Sequence, residues 1–418
     1  MIEGAGFDCD VCVVGTGRVG LPLALSLIEA GRTVCGVDVD PALRAAINDG
    51  RMPFAEPGYD AIVNTRRLVV HEDIAVAARC RAVIITVGTP LHTHIESDLS
   101  QIDAVLCALA PHLRAGHLVC LRSTVAPGTT RYAARRLARL TGLVIGEGLG
   151  LAYCPERLAE GRARLELREL PQIVGAADAR SAAAAEALFA VLAPEVLHTD
   201  PVSAELVKLF NNITRYVHFA VANQFAVVAD TFGANVHEIR RLANHRYPRN
   251  AIAAPGLTAG TCLRKDFGMI NEWSPYPDLL LAAWKMNEYM PAFLVQHLEQ
   301  RCPLEDKRVA VLGHAFKRDS DDSRDSLVPK LVRYIERSLP AEIRLSDPYL
   351  GDDIDGRVNW SIEMALREVD VIFVAVDHTP YATLLRHAAE WSPDAWVVDL
   401  WNVGGIERTF YRAAELGP

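Results

Sequence analysis

The feature that most constrains the fold of this chain lies near its amino terminus. An apolar segment at residues 9–14 runs directly into Gly15-Thr16-Gly17-Arg18-Val19-Gly20, and an apolar helical pattern continues from there to residue 30. A second apolar segment, 33–37, then ends at Asp38. This order of strand, G-x-G-x-x-G, helix, strand and acidic residue is typical of a dinucleotide-binding βαβ unit. Its glycines allow a tight turn that approaches a pyrophosphate, whose charge the helix N-terminus favours.

Asp38 indicates which dinucleotide the unit binds. A carboxylate at this position accepts hydrogen bonds from the ribose hydroxyls and repels a 2′-phosphate. Residues 39–41 contain no basic side chain that would bind such a phosphate. The sequence therefore predicts NAD, and not NADP, as the cofactor. The predicted contacts in this unit are Gly15, Gly17, Arg18, Val19, Gly20 and Asp38.

Apolar segments at 81–87, 117–122 and 151–154 continue the alternation of strand and helix and predict an open parallel sheet. Ligands bind outside the carboxyl ends of such strands. Thr89, Ser123 and Thr124 follow two of these strands and are predicted cofactor contacts, although hydroxyl residues also serve as turn and helix-cap residues. Glu156 follows the third strand, where a working carboxylate is expected.

Residues 203–233 show a helical pattern without Pro or Gly before its last residue. Glu205, Lys208 and Asn212 recur at spacings of three and four and therefore share one face, which Arg215 extends. This face is either a solvated stripe of an amphipathic helix or a polar lining for a cleft.

A second series of apolar segments at 309–312, 370–376 and 395–400 predicts another open sheet. It lacks a G-x-G-x-x-G and need not bind a dinucleotide. We therefore predict an α/β protein with two doubly wound Rossmann-like domains joined by a helical segment with a long central helix. The predicted domains are an NAD-binding domain at 1–200, a central helical domain at 201–300 and a C-terminal domain at 301–418.

The segment 255–266 combines small residues with the thiol of Cys262 and the carboxylate of Asp266. If a helix begins near Cys262, its N-terminal partial charge favours the thiolate, which is the nucleophile. A spacing of four then places Asp266 on the same helical face. The alternative is a glycine-rich turn with a buried structural cysteine.

Composition narrows the classes of partner. A net charge of −9 argues against nucleic acid or an anionic membrane as a partner. No signal peptide and no run of about eighteen apolar residues is evident. Nine scattered cysteines suit reduced thiols in the cytoplasm. Cys9 and Cys12 form a C-x-x-C without a second Cys or His pair, so no metal site is predicted.

The motifs together resemble the NAD-dependent nucleotide-sugar 6-dehydrogenases, the UDP-glucose/GDP-mannose dehydrogenase family. Their order and spacing match along nearly the whole chain. The resemblance implies the same three-part architecture, a UDP-sugar bound by the C-terminal domain, and a homodimer or higher oligomer built on the long helix. The matching motifs are Gly15–Gly20 with Asp38, Glu56-Pro57-Gly58, Ser123–Thr130, Pro155-Glu156-Arg157, Glu205 with Lys208 and Asn212, Cys262 with Asp266, and Phe316-Lys317 with Asp321–Ser326.

The resemblance also implies the chemistry, a four-electron oxidation of the C6 alcohol of a UDP-sugar to a carboxylate. Cys262 would form a thiohemiacetal and then a thioester. Lys208 and Asn212 would stabilise oxyanions, while Asp266 and Glu156 would handle water and protons beside Thr124. Arg324 resembles an arginine that reaches NAD of the neighbouring subunit. The implied substrate contacts are Glu156, Arg157, Lys208, Asn212, Arg215, Arg249, Gly256, Gly260, Phe316 and Lys317.

The substrate signals conflict, and three other functions stay open. Ala259, Thr261 and Arg264 depart from the usual family loop. Arg215 and the segment 240–250 resemble the UDP-N-acetylhexosamine branch (ManNAc or GlcNAc), whereas Lys265 resembles the UDP-glucose and GDP-mannose branches. The alternatives are a UDP-glucose 6-dehydrogenase, a two-electron hydroxy-acid dehydrogenase, which needs neither Cys262 nor a second Rossmann-like domain, and a catalytically silent nucleotide-sugar binder.

Overall fold

The computed structural model describes residues 6–92, 97–249, 251–258, 261–271 and 277–417, without the side chains of 261–264 and 271. The chain divides into two compact units. The first consists of residues 1–211 and 268–273, and the second of residues 212–267 and 274–418. In the described part of the chain, no helix combines the length and apolar character that crossing a membrane requires.

The first unit is built on a sheet of eight strands. Its order is β3-β2-β1-β4-β5-β6-β7-β8, which contains the 3-2-1-4-5-6 arrangement of a doubly wound dinucleotide-binding fold. Neighbouring strands are parallel except β6 and β7, which run antiparallel. The sequence pattern predicted an open parallel sheet and gave no sign of this reversal. The strands are β1 (Cys9–Val14), β2 (Val34–Val37), β3 (Val69–His71), β4 (Cys80–Ile85), β5 (Leu118–Leu121), β6 (Gly150–Tyr153), β7 (Gln172–Ala176) and β8 (Val196–Thr199).

Helices cover both faces of this sheet. One face packs against Leu21–Ile28 and Phe189, and the other against Ile102, Leu106 and Leu137. The buried strands β4 and β5 are apolar at nearly every position because both of their faces meet helices. The helices are α1 (Gly20–Glu29), α2 (Pro41–Asn48), α3 (Asp60–Val63), α4 (Ser100–Leu109), α5 (Thr129–Thr141), α6 (Ala163–Glu169) and α7 (Ala179–Phe189).

Four helices follow, and the first confirms the predicted long central helix. It has 31 residues and a length of about 46 Å. A later helix contains Pro291, yet stays continuous. These helices are α8 (Pro201–Thr231), α9 (Val236–Asn244), α10 (Thr261–Asn271) and α11 (Asp278–Glu299).

The second unit contains a five-stranded sheet of order β10-β9-β13-β14-β15, parallel except for β15, and a separate two-stranded ribbon of β11 and β12. Helices pack on both faces, which confirms the second Rossmann-like domain. The strands are β9 (Arg308–Leu312), β10 (Glu342–Ser346), β11 (Asp353–Ile354), β12 (Arg357–Val358), β13 (Val371–Val374), β14 (Trp396–Val398) and β15 (Phe410–Arg412). The helices are α12 (Val328–Arg337), α13 (Ile362–Leu366), α14 (Tyr381–Leu384) and α15 (Ala388–Trp391).

Glu205 joins α8 to the start of α5. Its carboxylate accepts hydrogen bonds from the backbone N–H of Gly128 (2.6 Å) and from the N–H and hydroxyl of Thr130 (2.7 and 2.6 Å). Burial raises the pKa of Glu205, although these donors oppose the shift. The first N–H groups of a helix lack intrahelical partners, so this carboxylate caps α5. Glu205 therefore has a structural role. Its spacing from Lys208 showed that the two residues share a helical face, but not that Glu205 caps another helix.

We expect Glu205→Ala to lower the free energy of unfolding by about 3 kcal/mol, because it leaves buried donors without their acceptor. Urea unfolding measures the change. The matched control is Glu195→Ala, since the Glu195 side chain is exposed and its removal leaves no such donors. A loss of under about 0.5 kcal/mol for Glu205→Ala would contradict this role.

Candidate active site

The turn after β1 has the geometry that the glycine pattern predicted. Gly15 has φ +89°. A Cβ on Gly20 would lie 1.9 Å from the carbonyl oxygen of Gly15, so only glycine allows this close packing of turn and helix. A Cβ on Gly17 would meet no atom within 4 Å, so the turn is open at that point. Thr86, which sequence reasoning missed, donates its hydroxyl hydrogen to the Gly15 carbonyl (2.5 Å).

Asp38 lies beside this turn, immediately after β2. Its Oδ2 accepts from the backbone N–H of Thr16 (2.6 Å), and its Oδ1 accepts from the N–H of Asp40 (3.0 Å). The carboxylate remains partly exposed and keeps acceptor capacity for ribose hydroxyls. Arg44 is a nearby basic residue, but its guanidinium is engaged by the Asp38 carbonyl and by Glu72. The residues present therefore fit NAD.

Arg18 and Val19 complete the turn. Val19 precedes the first residue of α1, at the helix N-terminus that the fingerprint assigns to phosphate. Arg18 forms an ion pair with Glu160 and stacks over the ring of Phe54, 5.0 Å from its centroid. The guanidinium is thus held by the protein at the edge of the turn.

The hydroxyl residues after β4 and β5 bind main-chain carbonyls. Thr89 donates its hydroxyl hydrogen to the Thr124 carbonyl (2.6 Å), and Ser123 donates to the Val87 carbonyl (2.6 Å). These bonds join the two turns at the carboxyl edge of the sheet. This is the structural role that the sequence analysis gave as the alternative to cofactor binding. Cofactor contacts from Thr89, Ser123 and Thr124 remain predictions.

Glu156 and Lys208 face each other in the first unit. Lys208 Nζ lies 3.6 Å from Glu156 Oε2, and both side chains are largely buried. Glu156 also accepts from the backbone N–H of Leu158. Glu56 orders the following segment, because it accepts from the N–H groups of Gly161 (2.7 Å) and Ala163 (3.0 Å). A buried ammonium beside a carboxylate is held in place by that charge.

Asn212 and Asp266 form the corresponding pair in the second unit. Asn212 Nδ2 donates to Asp266 Oδ2 (2.5 Å), and Asp266 is fully buried. Asp266 lies in α10, which begins at Thr261, so Cys262 occupies the first turn and the condition set in the sequence analysis is met. The side chain of Cys262 lies outside the described residues. From the backbone, Cys262 and Asp266 are four residues apart and share a face.

Two buried asparagines support the segment before α10. Asn223 Nδ2 donates to Asn287 Oδ1 (2.9 Å), and Gly256 N–H donates to Asn223 Oδ1 (2.8 Å). A Cβ on Gly256 would lie 2.2 Å from the ring of Trp401. The N–H of Gly256 is thus already used within the protein, and its substrate contact stays a prediction. Asn287 is an amide within a largely apolar helical segment. This pattern could have indicated a buried polar contact, but the sequence analysis did not use it.

The other predicted substrate contacts differ in their surroundings. Arg157 donates to the carbonyl of Pro171, and burial lowers the pKa of Arg157. Arg215 and Arg249 are exposed, and Arg249 lies over the ring of Tyr247 at 5.7 Å. Gly260 and Ala259 lie outside the described residues.

The turn after β9 carries Phe316 and Lys317. Phe316 N–H donates to the Asp322 carbonyl (2.9 Å), and Lys317 Nζ lies 5.6 Å from the centre of the Phe316 ring. Arg324 makes two hydrogen bonds to Asp322 (2.9 and 2.6 Å) while its own side chain is well exposed. The predicted sugar-binding lysine is therefore placed after the first strand of the second sheet.

Asp347 occupies the position in this sheet that Asp38 has in the first. Its Oδ2 accepts from the backbone N–H groups of His314 (2.7 Å) and Ala315 (3.0 Å), and His378 Nε2 lies 3.1 Å away. Burial acts to raise the pKa of Asp347, but the hydrogen bonds from His378 and His314 outweigh it and lower the pKa. Because its side chain is fully buried, Asp347 offers no carboxylate to a ribose.

Known proteins are similar to this chain over most of its length. Profiles of the UDP-glucose/GDP-mannose dehydrogenase family match in three parts: the NAD binding domain at residues 9–193, the central domain at 202–289 and the UDP binding domain at 310–405. The chain is 34% identical to a UDP-N-acetyl-D-mannosamine dehydrogenase of Pyrococcus horikoshii over 386 residues, 90% of each protein.

Solved structures agree. A UDP-D-ManNAc dehydrogenase structure from Pyrococcus horikoshii superposes with a TM-score of 0.84 at 32% identity, covering 91% of this chain and 93% of the other. A UDP-glucose dehydrogenase structure from Pyrobaculum islandicum gives 0.81 at 27% identity, covering 92% and 93%.

We expect Asp38→Ala to weaken NAD binding about tenfold or more, because the ribose loses a charged acceptor. Calorimetric titration measures this, and Asp49→Ala, an exposed carboxylate at the end of α2, is the control. Wild-type protein should strongly prefer NAD, and a comparable kcat/KM with NADP would contradict the assignment.

Proposed function

The chain belongs to the UDP-glucose/GDP-mannose dehydrogenase family, and from this membership we propose that it oxidises the C6 alcohol of a UDP-sugar to a carboxylate. The observation that carries the proposal is the hydrogen bond from Asn212 to the buried Asp266, in the helix whose first turn contains Cys262. A thiol, a carboxylate and an amide donor are groups that acyl chemistry uses, and this arrangement supports the proposal.

The overall reaction removes four electrons from each sugar as two hydrides. NAD, when bound, accepts one hydride in each oxidation. The second carboxylate oxygen comes from water, and the remaining hydrogens leave as protons. The chain contributes the turn after β1, whose open Gly17 and helix N-terminus suit a pyrophosphate, and Asp38, which suits the ribose.

Cys262 supplies the covalent step. An aldehyde at C6 cannot lose a second hydride until a nucleophile makes the carbon tetrahedral. The thiolate adds to the aldehyde and forms a thiohemiacetal, which is oxidised to a thioester that water then cleaves. The partial charge of the α10 N-terminus favours the thiolate, because Cys262 lies in the first turn of that helix.

Lys208 and Asn212 serve the developing oxyanions. They are four residues apart in α8, so one helical turn separates an ammonium from an amide donor. Glu156 holds Lys208, and Asp266 holds Asn212, so each donor is fixed before substrate binds. Preorganised donors stabilise developing charge without reorganisation. Asp266 and Glu156 can also accept the protons that alcohol oxidation and hydrolysis release.

A UDP-N-acetylhexosamine, with ManNAc or GlcNAc as the sugar, is the proposed substrate. Support comes from sequence identity, which is 32% with the UDP-D-ManNAc dehydrogenase structure and 27% with the UDP-glucose dehydrogenase structure. UDP-glucose is the second candidate because Lys265 resembles that branch.

The free thiols among the described cysteines also suit a cytoplasmic site of action.

Initial rates with UDP-N-acetylmannosamine, UDP-N-acetylglucosamine, UDP-glucose and GDP-mannose test the substrate. We expect kcat/KM for one N-acetylhexosamine to exceed that for UDP-glucose by about tenfold or more, since the 2-acetamido group adds polar contacts. A preference for UDP-glucose would establish the second candidate. Binding without turnover of every sugar would instead establish a silent binder.

Cys262→Ser tests the covalent step. Serine is a poorer nucleophile at neutral pH because its hydroxyl stays protonated, so turnover should fall by about 100-fold or more while the first oxidation persists. Asp266→Asn keeps the thiol but slows hydrolysis, so intact-protein mass spectrometry should detect a sugar adduct on Cys262. Near-normal uronate formation by Cys262→Ala would contradict the thioester.

We propose a homodimer built on α8. Val221, Phe225 and Val228 are each more than 40% exposed and recur at spacings of four and three, and Phe232 continues the stripe at 81%. An apolar stripe of this kind is unusual on a monomer surface and favours association. α9 adds Ile239 and Leu242, which are also exposed.

The variant Phe225→Glu/Val228→Glu should shift the protein from dimer to monomer, because two charges would be buried at the interface. Light scattering after gel filtration measures the mass. Met364→Glu is the control, since Met364 is similarly exposed on a different helix. A monomeric wild type, or a variant that stays dimeric, would contradict this interface.

A further inference from the structure

Three thiols meet at the edge of the first sheet that is opposite to the dinucleotide turn. Cys9 is the first residue of β1, Cys80 the first of β4, and Cys35 the second of β2. Their sulfur atoms all lie within 4.8 Å of one another, and the Sγ atoms of Cys35 and Cys80 are 3.4 Å apart. Gly15 follows the other end of β1, about 20 Å away along the strand.

The spacing of these sulfur atoms suits a thiophilic metal ion. A zinc–sulfur bond of about 2.3 Å in tetrahedral geometry places ligand sulfur atoms about 3.8 Å apart. The Cys35–Cys80 separation of 3.4 Å and the limit of 4.8 Å for all three pairs are compatible with that value. A disulfide between Cys35 and Cys80 would have to span β1, which pairs between their strands. A metal ion joins such sulfur atoms without a direct bond between them.

The surroundings compensate the charge of such a site. A cavity of about 340 Å³ is lined by the three thiols and by the basic side chains of Arg32, Arg67 and Arg79. Three thiolates around a divalent ion leave one net negative charge, which guanidinium groups offset. Asp8 lines the same cavity and pairs with Arg79 at 3.4 Å. His71 also lines it and is a ligand type that zinc accepts.

We propose that Cys9, Cys35 and Cys80 bind a thiophilic divalent metal ion of the zinc class, at a structural site separate from the dehydrogenase centre. The ion would cross-link β1, β2 and β4 and stabilise the folded state by the free energy of binding. The sequence predicted no metal because the Cys9-x-x-Cys12 pair has no second pair nearby in the chain. The sheet supplies Cys35 and Cys80 from other strands.

Titration of metal-free, reduced protein with Co²⁺ tests the site. One equivalent should bind and produce thiolate-to-cobalt charge-transfer absorption, which Zn²⁺ then abolishes. Cys9→Ser and Cys80→Ser should each weaken binding by about 100-fold, because each removes one ligand. Two controls should bind normally: Cys302→Ser, a partly exposed thiol of the second unit, and Cys262→Ala, which excludes the catalytic thiol as the ligand.

Thermal unfolding of the wild type provides a readout that does not depend on the folding of variants. Zn²⁺ should raise Tm, and excess EDTA should reverse the shift. Absence of the charge-transfer band, its retention in Cys9→Ser/Cys80→Ser, its loss in Cys262→Ala, or no zinc effect on Tm would overturn the proposal. So would a disulfide among these cysteines in the purified protein that takes up no metal.

Discussion

The hydrogen bond from Asn212 to Asp266 is the contact on which the proposed chemistry depends. A carboxylate with no solvent exposure is costly unless polar partners stabilise it. Asn212 supplies a donor from α8, and Asp266 in return fixes the amide that stabilises the developing oxyanion in our proposal. The same helix places Glu205 against α5 and Lys208 against Glu156. Successive turns of α8 thus carry a structural cap, an ammonium and an amide.

Much of this arrangement could be predicted from the sequence, because it depends on local periodicity. The apolar pattern at residues 9–14 predicted β1 with the bounds that the structure has. The uninterrupted helical pattern predicted both ends of α8 to within two residues. The sequence raised a helix start near Cys262 only as a condition, and α10 begins at Thr261. Pairings between distant segments gave no such signal. The cap formed by Glu205, the reversal of β7 and the Asn223–Asn287 pair all require knowledge of which elements meet.

The two sheets show how similar turns acquire different functions. In both, an acidic residue after the second strand accepts from the backbone N–H of the turn after the first. Asp38 remains partly exposed, whereas Asp347 is buried against His378. The carboxylate is available to a ribose in the first sheet and is used by the protein in the second. The absence of a G-x-G-x-x-G from the second series of strands predicted that this sheet need not bind a dinucleotide. It did not predict that the acidic residue would be buried against a histidine.

The NADH formed per sugar consumed tests the central claim most directly, because only a four-electron oxidation removes two hydrides from one carbon. A limiting, known amount of the preferred UDP-sugar is incubated with excess NAD until absorbance is constant, and the uronate is quantified by mass spectrometry. The account predicts two NADH for each uronate. One NADH per sugar with a carbonyl product would indicate a two-electron dehydrogenase, and binding without NADH a silent binder. Either result would contradict the role proposed for Cys262.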